Sequence, residues 1–201
     1  IPDGWRCVGP PLKERPGAPV LVVGGAAQSI GLYAAGLAVA LGSTRVDYLD
    51  WQRERLDIAA AFGANPVAIP KSGRSQWLKR HAPVACGDFP ITVDASADPD
   101  GLRYALRSLA PGGVCTSVGY YFQKGTPIPL MQMYANDSTL RTGVSHARAA
   151  LPEVLALIAS GRFDPARVTT LVADWDDAPL AFLERTTKVV VQRAPLAGGT
   201  A

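Results

Sequence analysis

Residues 20–31 have the sequence VLVVGGAAQSIG and continue directly into LYAAGLAVALG, residues 32–42. The apolar run 20–23, between Pro19 and Gly24, predicts a strand that is buried on both faces of a parallel sheet. Residues 29–41 predict a largely apolar helix that ends at Gly42. Glycine and alanine in the bend between them would let the backbone approach a diphosphate closely, at a helix N-terminus whose free N–H groups attract anions. The bend therefore predicts a dinucleotide site.

An acidic residue follows at the spacing that such a site requires. Asp50 ends a predicted strand, 44–49, roughly 20 residues after Gly31. A carboxylate at this position accepts the hydroxyls of the adenosine ribose and repels a 2′-phosphate, which predicts a preference for NAD(H) over NADP(H). Asp50 could also cap the helix predicted at 51–62, and both roles can hold together.

Strands and helices alternate along the next part of the chain. The predicted strands are 67–69, 90–94, 114–118 and 138–142, and the predicted helices are 51–62 and 98–109, with a short helix and a loop in 71–88. This alternation predicts an α/β fold, a Rossmann-type doubly wound parallel sheet of about six strands. After an irregular connection at 120–137, we expect a helix at 147–161 and two final strands at 168–172 and 188–192.

Composition favours a globular protein that acts on small molecules. Hydrophobic residues make up 48% of the chain and charged residues 18%, with a net charge of +3. The basic cluster lacks interleaved aromatic residues, so we expect a solvated surface and no nucleic-acid partner; it comprises Lys71, Arg74, Lys79 and Arg80. No apolar run is long enough to span a bilayer, and we expect no membrane partner.

Cysteine usage favours a reducing compartment. The three cysteines, Cys7, Cys86 and Cys115, are odd in number and widely spaced, which fits neither a disulfide framework nor a paired-cysteine zinc site. We therefore expect reduced thiols and a cytoplasmic protein. The histidines, His81 and His146, add no metal-ligand spacing, so we expect no metal site in this sequence.

Four blocks in a fixed order resemble one family. These are VLVVGGAAQSIGLYAAGLAVALG, DWQRERLDIAAAFGA, ITVDASADPDGLRYALRSLAPGGVCTSVG and ALPEVLALIASGRFDPARVTTLVADWDDAPLAFLERTTKVVV. Together they are similar to the medium-chain dehydrogenase/reductase family, which includes zinc-type alcohol dehydrogenases and quinone reductases. The resemblance covers residues 18–192. The bend from Gly24 to Gly31 is longer than the commonest form in that family.

The resemblance implies three parts of the chain and an activity. Residues 1–17 would be a lead segment or linker without periodicity, 18–145 the NAD-binding Rossmann domain, and 146–201 a segment that belongs to or packs on a catalytic domain. Because the chain begins with Ile1 and not with methionine, we expect it to be a segment of a longer polypeptide. The implied reaction is hydride transfer between nicotinamide and a small alcohol, aldehyde or ketone, with any catalytic zinc held by ligands that precede Ile1.

The resemblance also implies the cofactor contacts, while the catalytic residues stay unknown. The diphosphate would lie against Gly24, Gly25, Ala26, Ala27, Gln28, Ser29, Ile30 and Gly31. Asp50 and Arg55 would contact the adenosine ribose, Ala95 and Ser96 the adenosine, and Val118 and Gly119 the nicotinamide. Gly143 and Ser145 would complete the nicotinamide wall, and Lys188 would approach the phosphates. In this family the sixth strand often pairs across a dimer axis, so we expect a homo-oligomer.

Two alternatives remain open. A short-chain dehydrogenase has a similar glycine turn, and Tyr120 and Lys124 have its Tyr-x-x-x-Lys spacing. That pair requires a helix, whereas Gly125 and Pro127 predict an ordinary aromatic loop. A non-catalytic NAD(H) sensor that regulates a partner would need the same nucleotide site and no catalytic group.

Overall fold

A computed structural model of the protein describes residues 1–195. Its helices are α1 (Pro2–Glu14), α2 (Gln28–Ala40), α3 (Arg53–Ala61), α4 (Arg74–His81), α5 (Pro99–Arg107), α6 (Leu130–Ala135), α7 (Ala147–Ala159) and α8 (Ala178–Ala181). Its strands are β1 (Val20–Val23), β2 (Val46–Asp50), β3 (Asn65–Ala68), β4 (Phe89–Asp94), β5 (Leu109–Ser117), β6 (Thr139–Arg141), β7 (Leu171–Asp174) and β8 (Val189–Gln192). Short 3₁₀ turns lie at Pro165–Val168 and Trp175–Asp177.

The first six strands form one parallel sheet in the order β3-β2-β1-β4-β5-β6. Strand β1 lies between β2 and β4, with Val22 opposite Tyr48 on one side and Val93 on the other. All five strand pairings in this sheet are parallel, so every strand ends at the same edge. The predicted doubly wound α/β fold is confirmed.

Helices cover both faces of this sheet, and β1 shows why. Its side chains alternate between two hydrophobic clusters, with Val20 and Val22 in one and Leu21 and Val23 in the other. The first cluster contains residues of α1, α2, α3 and α7, and the second contains residues of α4, α5 and α6. A strand with both faces buried has no position for a polar residue, which explains its unbroken apolar sequence.

The segment at the start of the chain differs from the expected irregular lead. Residues Pro2–Glu14 form a helix with two internal prolines that packs against α2 and α7. Trp5, Val8 and Leu12 are buried at the spacing of one helix face. The prolines conceal this periodicity in the sequence, and the contacts made by the apolar face outweigh the backbone hydrogen bonds that proline removes.

The chain after β5 also differs in one place from the sequence-based expectation. Helix α6 lies inside the connection that was predicted to be irregular, where Met133 is buried in the second cluster. The two last strands pair with each other in parallel and form a separate two-stranded sheet. Pairing satisfies one edge of each strand, and within the described residues the opposite edge of each stays unpaired. Among the described residues no helix is both long and apolar enough to cross a bilayer.

We predict that thiol reagents distinguish the three free cysteines. Cys86 is exposed, whereas Cys7 and Cys115 are fully buried. Burial raises the pKa of Cys7, and burial together with the Asp94 carboxylate raises the pKa of Cys115 from 9.0 to about 12. One thiol should therefore react with a disulfide reagent at pH 8 in the folded protein, and all three after unfolding. Fast reaction of a second thiol without unfolding would contradict the burial.

The same two thiols give a pH dependence of stability. Because their pKa values in the folded state exceed the unfolded value, their contribution to stability is complete below pH 9.0. It is lost progressively as the pH rises toward 12, since the unfolded chain releases these protons first. Urea unfolding of the Cys115→Ala variant should show a weaker alkaline decline than the parent protein.

Candidate functional site

The strand order reverses beside β1, because the chain crosses from β1 to β2 and β3 on one side and then to β4 on the other. In open α/β sheets, ligands bind outside the carboxyl ends of the strands at such a point. Two adjoining clefts lie there, and both include Ala26 and Ala97. The larger, with a volume of about 510 Å³, is the more polar of the two and is called the polar cleft; the other, the apolar cleft, has a volume of about 280 Å³.

Close packing between strands is what requires glycine in the bend. A Cβ atom on Gly24 would lie 2.5 Å from Asp50 Oδ2, and a Cβ on Gly25 would lie 2.5 Å from Ser96 Cα. A Cβ on Gly31 would lie 3.1 Å from the Cβ of Ala95. The bend is thus pressed against the ends of β2 and β4. Close packing therefore explains why these positions are glycine. Because glycine has no side chain, nothing separates the backbone of the bend from the cleft.

Some N–H groups of the bend are paired and others are free. The N–H groups of Ala26 and Ala27 donate to the carbonyls of Ser96 and Ala95, each at 3.0 Å. Those of Gly25, Gln28 and Ser29 donate to no acceptor within residues 1–195. Gln28 and Ser29 are the first two residues of α2, and Gly25 and Gln28 line the polar cleft. The free N–H groups and the positive end of the helix dipole suit a phosphate.

Asp50 lies at the end of β2, but its carboxylate is entirely buried. Oδ1 accepts hydrogen bonds from the N–H groups of Trp51 (2.7 Å) and Gln52 (2.9 Å). Arg55 binds both oxygens, with Nη2 2.7 Å from Oδ1 and Nε 2.8 Å from Oδ2. The Tyr48 hydroxyl donates to Oδ2 at 3.1 Å, and burial and the Asp50 carboxylate raise the pKa of this tyrosine. Protein donors thus occupy both oxygens.

Three residues for which the sequence predicted no role, Trp51, Arg74 and Asp98, form a wall of the polar cleft. The Arg74 guanidinium stacks 4.1 Å from the Trp51 ring and pairs with Asp98 at 2.7 Å. The Arg55 guanidinium also lies over the Trp51 ring, 5.1 Å from its centroid. Trp51 directly follows β2, and Asp98 precedes α5 as its N-cap. The positions of Trp51 and Asp98 after the ends of strands were a sequence signal that they belong to the site. Nothing in the sequence links Arg74 to Trp51.

The apolar cleft contains predicted and unpredicted residues. Ala26, Ala27, Ile30 and Val118 line it, together with Ala97, Tyr120 and Phe122. The backbone of Gly119 packs closely on Ala97, since a Cβ atom at position 119 would lie 2.8 Å from Ala97 Cα. Tyr120 and Lys124 lie in the loop between β5 and α6, so they are not presented on one helix face as the short-chain alternative requires.

Three of the predicted residues lie in segments that contribute no residue to either cleft. Gly143 and Ser145 lie in the segment between β6 and α7, and Lys188 lies directly before β8. The neighbours of Lys188 come closer, since residues 184–187 line a cleft of about 340 Å³ together with Gln28 and Arg55. The approach of Lys188 to the phosphates therefore stays a prediction.

The described residues do not fit a metal centre. Residues 1–195 contain no cluster of three or more histidine, cysteine or acidic side chains that could hold a metal ion. Cys7 and Cys115 are buried thiols, and burial opposes the thiolate form that binds zinc. His81 stacks on Trp77 at 4.2 Å, and His146 is the N-cap residue of α7.

The parallel sheet and its clefts define a Rossmann-type α/β domain. A family model described as zinc-binding dehydrogenase matches residues 29–160. The chain therefore belongs to the zinc-binding dehydrogenase family, within the medium-chain dehydrogenases/reductases that its motifs resemble.

Individual relatives agree with this assignment. A probable zinc-binding alcohol dehydrogenase of Mycobacterium tuberculosis is 28% identical over 81% of this chain and 40% of the relative. A probable D-xylulose reductase A of Neosartorya fischeri is 25% identical over 84% of this chain and 47% of the relative. The chain thus spans less than half of these relatives.

Solved structures share the fold. An alcohol dehydrogenase from Thermus sp. ATN1 superimposes with a TM-score of 0.75 and 27% identity, covering 96% of this chain and 57% of that one. A protein described as a short chain alcohol dehydrogenase from Escherichia coli CFT073, complexed with NADH, superimposes with a TM-score of 0.74 and 17% identity, covering 96% of this chain and 57% of that one.

Proposed function

We propose that this chain is the cofactor-binding part of an NAD(H)-dependent oxidoreductase. The reaction would transfer hydride between nicotinamide and a small alcohol, aldehyde or ketone. The observation that carries the proposal is the set of free N–H groups at Gly25, Gln28 and Ser29, beside a cleft at the point where the strand order reverses. Family membership, the dehydrogenase relatives and the NADH-bound structure support it.

Each part of the cofactor has a complementary surface. The diphosphate would bind the free N–H groups of the bend, and the adenosine would occupy the polar cleft beside Trp51 and Ser96. The nicotinamide would enter the apolar cleft beside Val118. Bound there, nicotinamide accepts or donates hydride at its C4 carbon. The protein's contribution is to hold the two ends of the dinucleotide in fixed places and to exclude water from the apolar one.

A preference for NAD(H) over NADP(H) is part of the proposal. A 2′-phosphate needs an unpaired cation near the adenosine ribose. The two guanidinium groups at this cleft are already paired, Arg55 with Asp50 and Arg74 with Asp98. Asp50 also keeps a carboxylate beneath the ribose, although a direct bond to a ribose hydroxyl requires one of its present donors to move. Discrimination therefore rests on the pairing of these cations.

Titration calorimetry of the full chain with NADH, NADPH and ADP-ribose tests the proposal. We expect NADH and ADP-ribose to bind. NADPH should bind at least about tenfold more weakly, a difference of about 1.4 kcal/mol, because both guanidinium groups at the cleft are already paired. Binding of none of the three would refute the dinucleotide site, and equal affinity for NADH and NADPH would refute the preference alone. For the longer gene product, NADH binding without turnover of alcohols or aldehydes would favour the regulatory alternative.

We also propose a homo-oligomer, with β6 at the contact. This strand is an edge of the six-stranded sheet, and Leu130, Met131 and Tyr134 nearby are exposed. Open strand edges and exposed apolar side chains are common sites of association. Light scattering coupled to size-exclusion chromatography should give at least a dimeric mass, and a monomeric mass at all concentrations would contradict this.

A further inference from the structure

A buried carboxylate that has no role in the preceding account joins three segments at the cleft edge. Asp94 ends β4 and is fully buried. Its Oδ1 accepts from Ser96 Oγ at 2.5 Å and from Ser96 N at 3.1 Å. Its Oδ2 accepts from Ser117 Oγ and from the Tyr121 hydroxyl, each at 2.6 Å. No lysine or arginine of the described residues pairs with it, so hydroxyl and N–H donors alone satisfy this charge.

Tyr121 connects this carboxylate to the irregular loop after β5. Its hydroxyl also approaches the carbonyl oxygen of Asp98 at 3.4 Å, and its half-buried ring packs against the second hydrophobic cluster. Burial and the Asp94 carboxylate both raise the pKa of Tyr121, which favours the protonated hydroxyl that donates to Asp94. The loop is therefore attached to the end of β4 by one strong, charge-assisted hydrogen bond.

The residues on either side of Tyr121 face outward into the apolar cleft. Tyr120 and Phe122 are 79% and 94% exposed, and their rings stack with centroids 6.0 Å apart and planes at 17°. Both line the cleft of about 280 Å³ with Ala26 and Val118. Single exposed apolar residues are common, but a stacked pair that lines a cleft on an anchored loop marks a binding surface.

We propose that Tyr120 and Phe122 form the wall against which the nicotinamide ring packs, and that Tyr121 holds this wall in place through Asp94. This inference rests on the proposed function and adds residues that determine where the reactive ring lies. The apolar cleft adjoins the polar cleft at Ala26 and Ala97, beside the bend proposed to hold the diphosphate. Of the two ends of a dinucleotide, the flat nicotinamide ring fits this small apolar space, and the adenosine end fits the polar one. Tyr121 is a positioning residue, because its own hydroxyl points at Asp94.

Calorimetry with NADH and ADP-ribose separates the two halves of the cofactor, since ADP-ribose lacks the nicotinamide ring. We expect Phe122→Ala to weaken NADH binding about 3- to 10-fold, the size of one aromatic contact. Tyr121→Phe keeps the ring and removes the hydroxyl, and it should weaken NADH binding by a similar factor. ADP-ribose affinity should stay within about twofold for both variants, because the polar cleft is untouched.

The matched control is Tyr104→Phe, which removes the hydroxyl of another tyrosine that packs against the second hydrophobic cluster and lines neither cleft. It should bind NADH as the parent does. A second measurement is the fluorescence of bound NADH, whose blue shift reports an apolar environment and should shrink in Phe122→Ala and Tyr121→Phe. A merely structural role of Tyr121 would lower thermal stability and weaken both ligands together, without changing their ratio.

The outcomes distinguish this inference from the proposed function. Unchanged NADH affinity and unchanged fluorescence in Phe122→Ala, with ADP-ribose still bound, would overturn the wall and leave the dinucleotide site intact. Equal loss of NADH and ADP-ribose affinity in Tyr121→Phe would overturn the positioning role. Failure of the parent protein to bind either ligand would overturn both proposals.

Discussion

Replacing Asp50 by alanine should lower the free energy of unfolding by about 3–5 kcal/mol, the usual cost of breaking a buried ion pair from one side. The variant leaves the Arg55 guanidinium, which is only 4% exposed, without its carboxylate partner. It also leaves the Tyr48 hydroxyl and two backbone N–H groups without an acceptor. Urea denaturation at pH 7 measures this change directly.

A double-mutant cycle with Arg55→Met isolates the pair. Removing both charges should recover part of the loss, since no unpaired charge then remains buried, and the coupling should reach about 1–3 kcal/mol. The matched control is Arg53 with Asp57, an exposed pair on the same helix with 2.9 Å between Nε and Oδ1. Its coupling should be about 0.3–0.5 kcal/mol. Similar coupling for the two pairs would show that Asp50 is solvated.

The second large effect is expected for Gly25→Ala. The added Cβ would lie 2.5 Å from Ser96 Cα and 2.6 Å from the Ser96 carbonyl oxygen, and neither backbone atom can move without displacing the end of β4. The bend must then shift away from Ser96, which breaks the hydrogen bond from Ala26 N and misplaces the free N–H groups. NADH affinity should fall at least about tenfold, with a loss of stability of about 1–3 kcal/mol.

Gly42→Ala is the control for this substitution. Gly42 has φ +86°, and nothing lies within 4 Å of an added Cβ, so only backbone strain of about 1–2 kcal/mol is expected. NADH affinity should remain at the parent value. If Gly25→Ala bound NADH as tightly as Gly42→Ala, the bend would have no part in holding the cofactor.

Most of the fold could be predicted from strand β1 and the bend after it. An apolar run followed by glycines and an apolar helix has few stable arrangements other than a buried parallel strand with a crossover helix. The rest of the sheet follows from repetition of that unit. The prediction of an irregular segment at 2–14 was wrong, because two prolines weaken a helical pattern that only packing against α2 makes stable.

The candidate site was only partly accessible from sequence. Spacing indicated Asp50 and the family resemblance indicated Arg55, each as a contact of the ribose. Neither indicated that the Asp50 carboxylate would accept hydrogen bonds from Tyr48, Arg55 and two N–H groups. Tyr48 and Asp50 lie on the same face of β2, so their contact was implicit in the two-residue period of a strand. Burial of the pair depends on β1, which packs beside it.

The sequence by itself determined most of the strands and helices between residues 20 and 118, and that a small-residue bend lies at the start of α2, because hydrophobic periodicity and glycine act locally along the chain. The tertiary structure alone decided which polar groups meet at the sheet edge: Trp51 with Arg74, and Asp94 with Tyr121. Those partners are far apart in sequence and are brought together by strand order and crossover, which no local pattern encodes.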